Sequence, residues 1–487
     1  MLFDLTRDPW IPVRRDDHTL AEVGLTEALA SAHRLRLAAV GTERVVLLRW
    51  LAALWDAADG PSDLSQWARR WRSRSLDCDR VSDYLAAHRA AFDLIDGWAL
   101  GQSPDLDRAT RTAHVLDPST WGGAATALFG PDGPVRPLPA ASAARALLVL
   151  QAMHPGGIQS GHPQDPRTRG GRVYGGKPGS LSLITHLHAE PEGATLKDLL
   201  LLAVPPRPRA AGDQPAWERP APAAAGGERI PRGRLDWWTW PTRRPRLVPD
   251  RHGMITAVAL HDGDRCTDPV TAARTHDPLA AFLPPAQTTT GPQTPRRLPL
   301  LSPGGHLRAW SAVLALPDDH DHPEAPAAAP ILEHLAAICR HGHLPDRLPI
   351  RVLVHRSEHT TAHRAALASV TCDLLPLGLA RTLADPARTT QLRAAALAAA
   401  RTQLHLDRCA QAASTRPEAP LDLAADLHLA DAFEQLCAAD GANEEADAFT
   451  AALDLAAREA LTERFAADPM AAGHALSQLH QLSGSTA

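Results

Sequence analysis

The sequence predicts an α+β N-terminal domain of mixed helices and short strands, followed by an all-α C-terminal helical bundle. Three observations carry this. At 487 residues the chain exceeds what one core usually serves, so roughly two or three domains are expected. Extended segments cluster near the start and again over 236–266. From about residue 326 helical periodicity continues almost to the end. The boundary is placed between 355 and 356: an N-terminal domain over 1–355, with a Pro/Arg-rich connection at 204–235 inside it, and a helical bundle over 356–487.

The elements follow in order. "LFDL" and "WIPV" read as short strands, with a turn at Arg15–Asp17. A helix over 42–58 sets Leu47, Leu51, Leu54 and Trp55 on one face. Further helices are predicted at 61–72, 79–95 and 141–153. Residues 154–180 are punctuated by Gly, Pro and Ser and read as a long loop. "ATLKDLLLLAV" returns to helix. In "LDWWTWPTRRPRLVPDRHGMITAVALHDGDRC" the alternation suggests strands, with turns at "RHG" and "DG". Helices are then expected at 326–342, 360–383, 387–413, 424–438, 443–466 and 469–483. Asp468 and Pro469 supply an N-cap and first helical position.

Composition narrows the function. A 44% hydrophobic and 22% charged chain is an ordinary globular one. The N-terminus carries Asp4 and Asp8 and has no long apolar core, so no signal peptide is expected; no run approaches the ~20 apolar residues of a membrane span. Cys78, Cys266, Cys339, Cys372, Cys409 and Cys437 show no metal-ligand spacing and read as reduced packing residues of a cytoplasmic protein. The net charge of −5 argues against indiscriminate nucleic-acid binding but permits a local basic site.

Catalytic motifs are weak. "GRVYGGK" (171–177) matches a P-loop as far as the lysine, but Pro178 replaces the magnesium-binding Ser or Thr. His320 and His322, and His341 and His343, sit in stretches that read as solvated loops more readily than as metal centres. We expect a non-enzyme with no cofactor. Basic character is better supported. Ten arginines face five acids over 205–251, interleaved with Trp237, Trp238 and Trp240. Between 154 and 180, Arg167, Arg169, Arg172 and Lys177 face only Asp165. The first stretch fits either a nucleic-acid surface or a solvated loop over core tryptophans. "HPGGIQSG" (154–161) also has two uses: glycines can stop a helix, or they can let the backbone approach a ligand closely.

"LFDLTRDPWIPV", "ALLVLQAMHPGGIQSG" and "WWTWPTRRPRL", in that order, resemble the CasA family, the large subunit of the type I-E CRISPR Cascade complex. The resemblance implies a DNA/PAM-reading N-terminal domain and a C-terminal four-helix bundle. It also implies recognition of the protospacer-adjacent motif (PAM) of double-stranded DNA from the minor groove, help in opening the duplex and forming the R-loop, and a docking surface for a recruited helicase–nuclease. Implied partners are the backbone, handle-binding and small subunits of Cascade, the CRISPR guide RNA and target DNA, with no membrane. The family's glycine loop falls on Gly156, Gly157, Ile158, Gln159, Ser160 and Gly161. Its basic finger is a lysine, and no lysine lies in the hairpin here; Arg265 is the nearest candidate and Arg274 the second. The family's glutamine wedge falls near "VHRSEHTT", where Arg356, Glu358 and His359 stand instead. The loop around Phe129 matches the family's guide-handle loop. Some relatives carry Cys-x-x-Cys zinc ligands; this chain has none, so no zinc is expected. Alternatives are a structural subunit with degenerate DNA-reading elements, or a metal- or nucleotide-dependent enzyme.

Overall fold

The computed structural model describes residues 3–107, 109–121, 137–282, 330–344, 350–359, 367–375, 385–413, 431–433, 435–436 and 443–484. Two compact units emerge: Met1–Ala280 with Val354–Thr371, and Ala281–Leu353 with Cys372–Ala487.

In the first unit the central element is the helix Gly41–Asp59, whose Val45, Leu47, Leu48, Leu51, Leu54 and Trp55 are all buried. A helix apolar on most of its circumference must be enclosed, and the helices Ala140–Met153 and Leu196–Ala203 pack on it. Trp50 lies edge-on to Trp10, Phe92 and Trp217 at ring separations of 5.8, 6.3 and 5.2 Å. Such pairs add to burial energy. The opening strands form the sheet Leu20–Val23, Ile11–Arg14, Arg36–Leu37, in register Ile11 to Val23. The turn expected at Arg15–Asp17 is present, closed by Arg15 N–H donating to Thr19 O.

The hairpin expected around "RHG" is also present. Arg243–Pro249 pairs antiparallel with Ile255–Asp262. In its turn Asp250 Oδ1 accepts from His252 N–H and Met254 N–H, and Gly253 takes φ +78°. That positive φ is where glycine costs nothing. Helices stand at Leu64–Arg72, Cys78–Ala87 and Ala140–Met153, near their expected spans; the second is shorter, with a 3₁₀ turn at Arg89–Phe92.

Four expectations fail. "LFDL" makes only an isolated bridge from Asp4 to Asp93 and no strand. "LDWW" is the short helix Arg234–Trp238 and not a strand, with its tryptophans turned into the core. The stretch 154–180 is not a plain loop: Gly157–Ser160 pairs antiparallel with Arg172–Gly176. The helix expected at 360–383 is absent from its described part, where Leu367–Leu375 is a strand beside the strand Ile350–His359. The β-branched Val370 and Thr371 favour the pleated surface over a helix.

In the second unit Pro386–Ala413, Asn443–Arg464 and Pro469–Gly484 are helices that pack on one another. Leu392, Ala396, Ala399, Leu406 and Cys409 of the first, and Phe449, Leu453, Ala456 and Leu461 of the second, are buried. The cap works as expected: Asp468 Oδ1 accepts from Ala471 N–H at 3.1 Å. The chain is thus mixed helix and short strand with a helical C-terminal region. Among the described residues no helix is long and apolar enough to cross a membrane.

Candidate nucleic-acid interface

Helix Ala140–Met153 stops at His154, whose N–H still donates to Leu150 O while its backbone turns extended. Pro155 has no N–H with which to continue. The glycines that follow meet different needs. A Cβ on Gly156 would sit 2.7 Å from Gly176 O, and one on Gly161 would meet Val173 Cγ2 at 2.8 Å. Those two let the strands close. Gly157 differs: it is exposed, takes φ +104°, and a Cβ there would meet nothing within 4 Å. Packing does not demand its small size; its positive φ is what favours glycine there, and its backbone is left open to the outside.

Strand alternation sets the two faces. Gln159 opposes the buried Val173, and Ser160 opposes Arg172. Gln159 turns its amide back onto Pro155 O at 3.0 Å. The other face carries Ile158, 58% exposed, and Tyr174, 54% exposed, with exposed Arg172. Exposed Arg111 reaches in from its own short strand and donates to Ser160 Oγ at 3.2 Å.

An ion-pair clamp holds this hairpin. Arg243 is buried and donates to Pro155 O at the start of the hairpin and to Lys177 O, 3.1 Å, at its end. Its Nε donates to His154 Nδ1 at 3.1 Å, and Asp262 lies 3.4 Å away. Burial pushes the Arg243 guanidinium down to about 10, with Asp262 opposing and Arg265 adding to the fall. It stays charged at neutral pH. Arg265 donates to Tyr174 O at 2.6 Å and to Asp262 Oδ2 at 3.1 Å. Arg167 pairs with Asp165 at 2.6 Å. Burial works against the Asp165 carboxylate, yet hydrogen bonds from Arg167 hold it below the usual range.

The expected residues therefore separate. Gly156, Gly157, Ile158, Gln159, Ser160 and Gly161 lie together in the hairpin, and Arg265 joins them as a tether on Tyr174 O with only 14% of its side chain exposed. Arg274 is exposed on the helix Pro269–His276, with no hydrogen bond or ion pair to the hairpin among the described residues. Arg356, Glu358 and His359 fall on the strand Ile350–His359. Phe129, His320 and His322 lie outside the described residues. Arg111 and Asp262 were not foreseen, and Arg243 was counted only among the ten arginines over 205–251; all three reach the hairpin from other strands.

The aromatic-basic surface considered over 205–251 is not there. Trp237, Trp238 and Trp240 are buried. Arg207, Arg209, Arg219, Arg229, Arg234 and Arg244 are paired with Asp213, Glu218, Asp236, Asp264 and Asp56. The near-P-loop is the strand Arg172–Gly176 of the hairpin, followed by a 3₁₀ turn at Ser180–Leu183. It lacks the helix whose N-terminus holds phosphate in that motif. Among the described residues no group of three His, Cys, Asp or Glu side chains could hold a metal ion.

A family model described as CRISPR-associated protein Cse1 matches residues 4–483. A Thermus thermophilus CRISPR-associated protein CasA/Cse1 is 32% identical over 276 residues, 52% of this chain and about half the length of that relative. The structure of Thermobifida fusca Cse1 covers 99% of this chain and 98% of its own at 24% identity, with a TM-score of 0.77. A chain of a CRISPR RNA-guided surveillance complex, 17% identical, covers 99% of both with a TM-score of 0.71.

Proposed function

Since this chain belongs to the CRISPR-associated Cse1 family, we propose that it is the large subunit of an RNA-guided surveillance complex and reads a short motif in duplex DNA through the glycine hairpin. The observation that carries this is Gly157: exposed, left-handed, and uncrowded by its own chain. A minor groove about 6 Å wide excludes side chains but admits backbone N–H and C=O groups. The recognised motif is the PAM, and the division of labour is protein-read motif plus RNA-read target. Opening of the duplex and docking of a helicase–nuclease belong to the same proposal, as does a four-helix C-terminal bundle facing partner subunits. The chain itself performs no turnover. Cytoplasmic placement follows from a guide-RNA partner.

The test is Gly157→Val in complexes reconstituted with guide RNA. A β-branched residue at φ +104° is strained by about 1–3 kcal/mol, and its bulk stands off the groove floor. We expect assembly to persist and PAM discrimination to fall by an amount comparable to one mismatch, about 1–3 kcal/mol. Unchanged discrimination in a folded complex would return Gly157 to a purely mechanical role.

A further inference from the structure

The outer face of the hairpin carries more than glycine. Ile158 and Tyr174 are two of the few large apolar side chains left exposed among the described residues. They flank Gly157 and Gly175, which both have positive φ and open space where a Cβ would stand. Around them stand Arg111, Arg169, Arg172 and Lys177, all exposed and without a carboxylate partner among the described residues. The acids beneath are committed elsewhere. Asp165 and Asp262 are buried and taken up by Arg167, Arg243 and Arg265. The exposed acid Glu228 lies 3.9 Å from Arg265.

An apolar pair ringed by unneutralised cations suits a polyanion with an apolar interior. Duplex DNA presents phosphates at the groove edge and sugars and base steps within it. Proteins that enter the minor groove often press an apolar wedge against a base step while cations hold the flanking phosphates. We propose that Ile158 and Tyr174 form such a wedge, packing on sugars and a partly unstacked step beside the recognised motif, with Arg172 and Lys177 on the adjoining phosphates. This rests on the hairpin being the DNA reader. It adds a distorting function to the same element, one that does not depend on the strand bearing Glu358 and His359.

The experiment uses the reconstituted complex and duplexes carrying 2-aminopurine at the steps next to the motif. Tyr174→Ala should weaken binding about tenfold, the loss expected of one aromatic stack, and abolish the rise in 2-aminopurine fluorescence. Tyr174→Phe should retain both. Arg172→Ala should lower the slope of log affinity against log salt by about 0.9, the value for one phosphate contact. If Tyr174→Ala behaves as wild type while Gly157→Val loses discrimination, the wedge is wrong and the reading hairpin stands. If neither variant changes DNA binding, both fall. Protection of Tyr174 from hydrogen exchange at its amide and from oxidation at its ring on assembly, before DNA is added, would also overturn the wedge, since another subunit would then cover it.

Discussion

Two arginine-rich stretches of this chain, 154–180 and 205–251, look alike in sequence and behave oppositely in the fold. In the second, guanidiniums are consumed internally: Arg234 by Asp56, Arg243 by Asp262, Arg244 and Arg229 by Asp264. Arg229 also sits over Trp240, 3.9 Å from the ring centre. In the first, Asp165 takes Arg167 and leaves Arg169, Arg172 and Lys177 to solvent. Counting charges within a window therefore misleads when the neutralising acids come from elsewhere in the chain. Arginine is a core-building residue in one stretch and a solvent-facing one in the other; carboxylates inside the second window (Asp213, Glu218, Asp236) and beyond it (Asp56, Asp262, Asp264) make the difference.

The sharpest way to break that contrast is to remove one arginine from each stretch. Arg243→Ala leaves Asp262 short of a partner and frees both ends of the hairpin. Breaking one side of a buried pair typically costs about 3–5 kcal/mol, and denaturant unfolding of the whole chain should show a loss of that order. Arg172→Ala should stay within about 0.5 kcal/mol of wild type. Comparable losses in the two variants would mean that Arg172 is structural too, and the contrast would collapse.

That asymmetry also explains what could be foreseen. The helices Gly41–Asp59, Ala140–Met153 and Asn443–Arg464 announce themselves because 3.6-residue periodicity is local. The hairpin Arg243–Asp262 carries its turn chemistry in Asp250 and Gly253. The glycine hairpin has no such mark. Glycine is a poor strand former, and what holds this strand pair, Arg243 and Arg265, lies 66 to 91 residues from the carbonyls it grips. The family motif located Gly156–Gly161, but it could not say which glycine is packed and which is open. That distinction needs the positions of Gly176, Thr168 and Val173. Leu367–Leu375, by contrast, is a strand as its β-branched Val370 and Thr371 favour.

A finer contrast lies inside the hairpin. Gly156→Ala must push Gly176 O away from a Cβ 2.7 Å distant, so the strand pair itself should loosen. We expect a cost of about 1–3 kcal/mol, the usual range for overpacking. Hydrogen exchange should quicken at Gly157 and Gly176, which pair across the strands. Gly157→Ala has only its φ to strain, so exchange across the rest of the hairpin should stay at the wild-type rate. Equal loosening in both variants would remove the distinction between a packed and an open glycine.

The smallest expected effect is where the first stretch meets the strand Ile255–Asp262. His162, just past the glycines, stands edge-on to His261 of the strand Ile255–Asp262, ring centres 5.4 Å apart. Burial first, then His162 and Arg111, hold the His261 imidazole below its ordinary value of 6.5, against a hydrogen bond that the ring donates to the Gly161 backbone and that favours the charged form. In the unfolded chain it protonates near that ordinary value. Below it, therefore, the unfolded state binds more protons than the folded one, and stability falls with falling pH. The contribution is fully present above about 6.5 and is lost progressively on the acid side. His261→Gln should flatten this part of the profile, with wild type losing more stability than the variant between pH 7 and 5 in paired denaturant titrations. Parallel profiles would mean that His261 keeps its solution affinity for protons in the fold, and that the floor beneath the hairpin is wetter and less tightly closed than the clamp of Arg243, Asp262 and Arg265 implies.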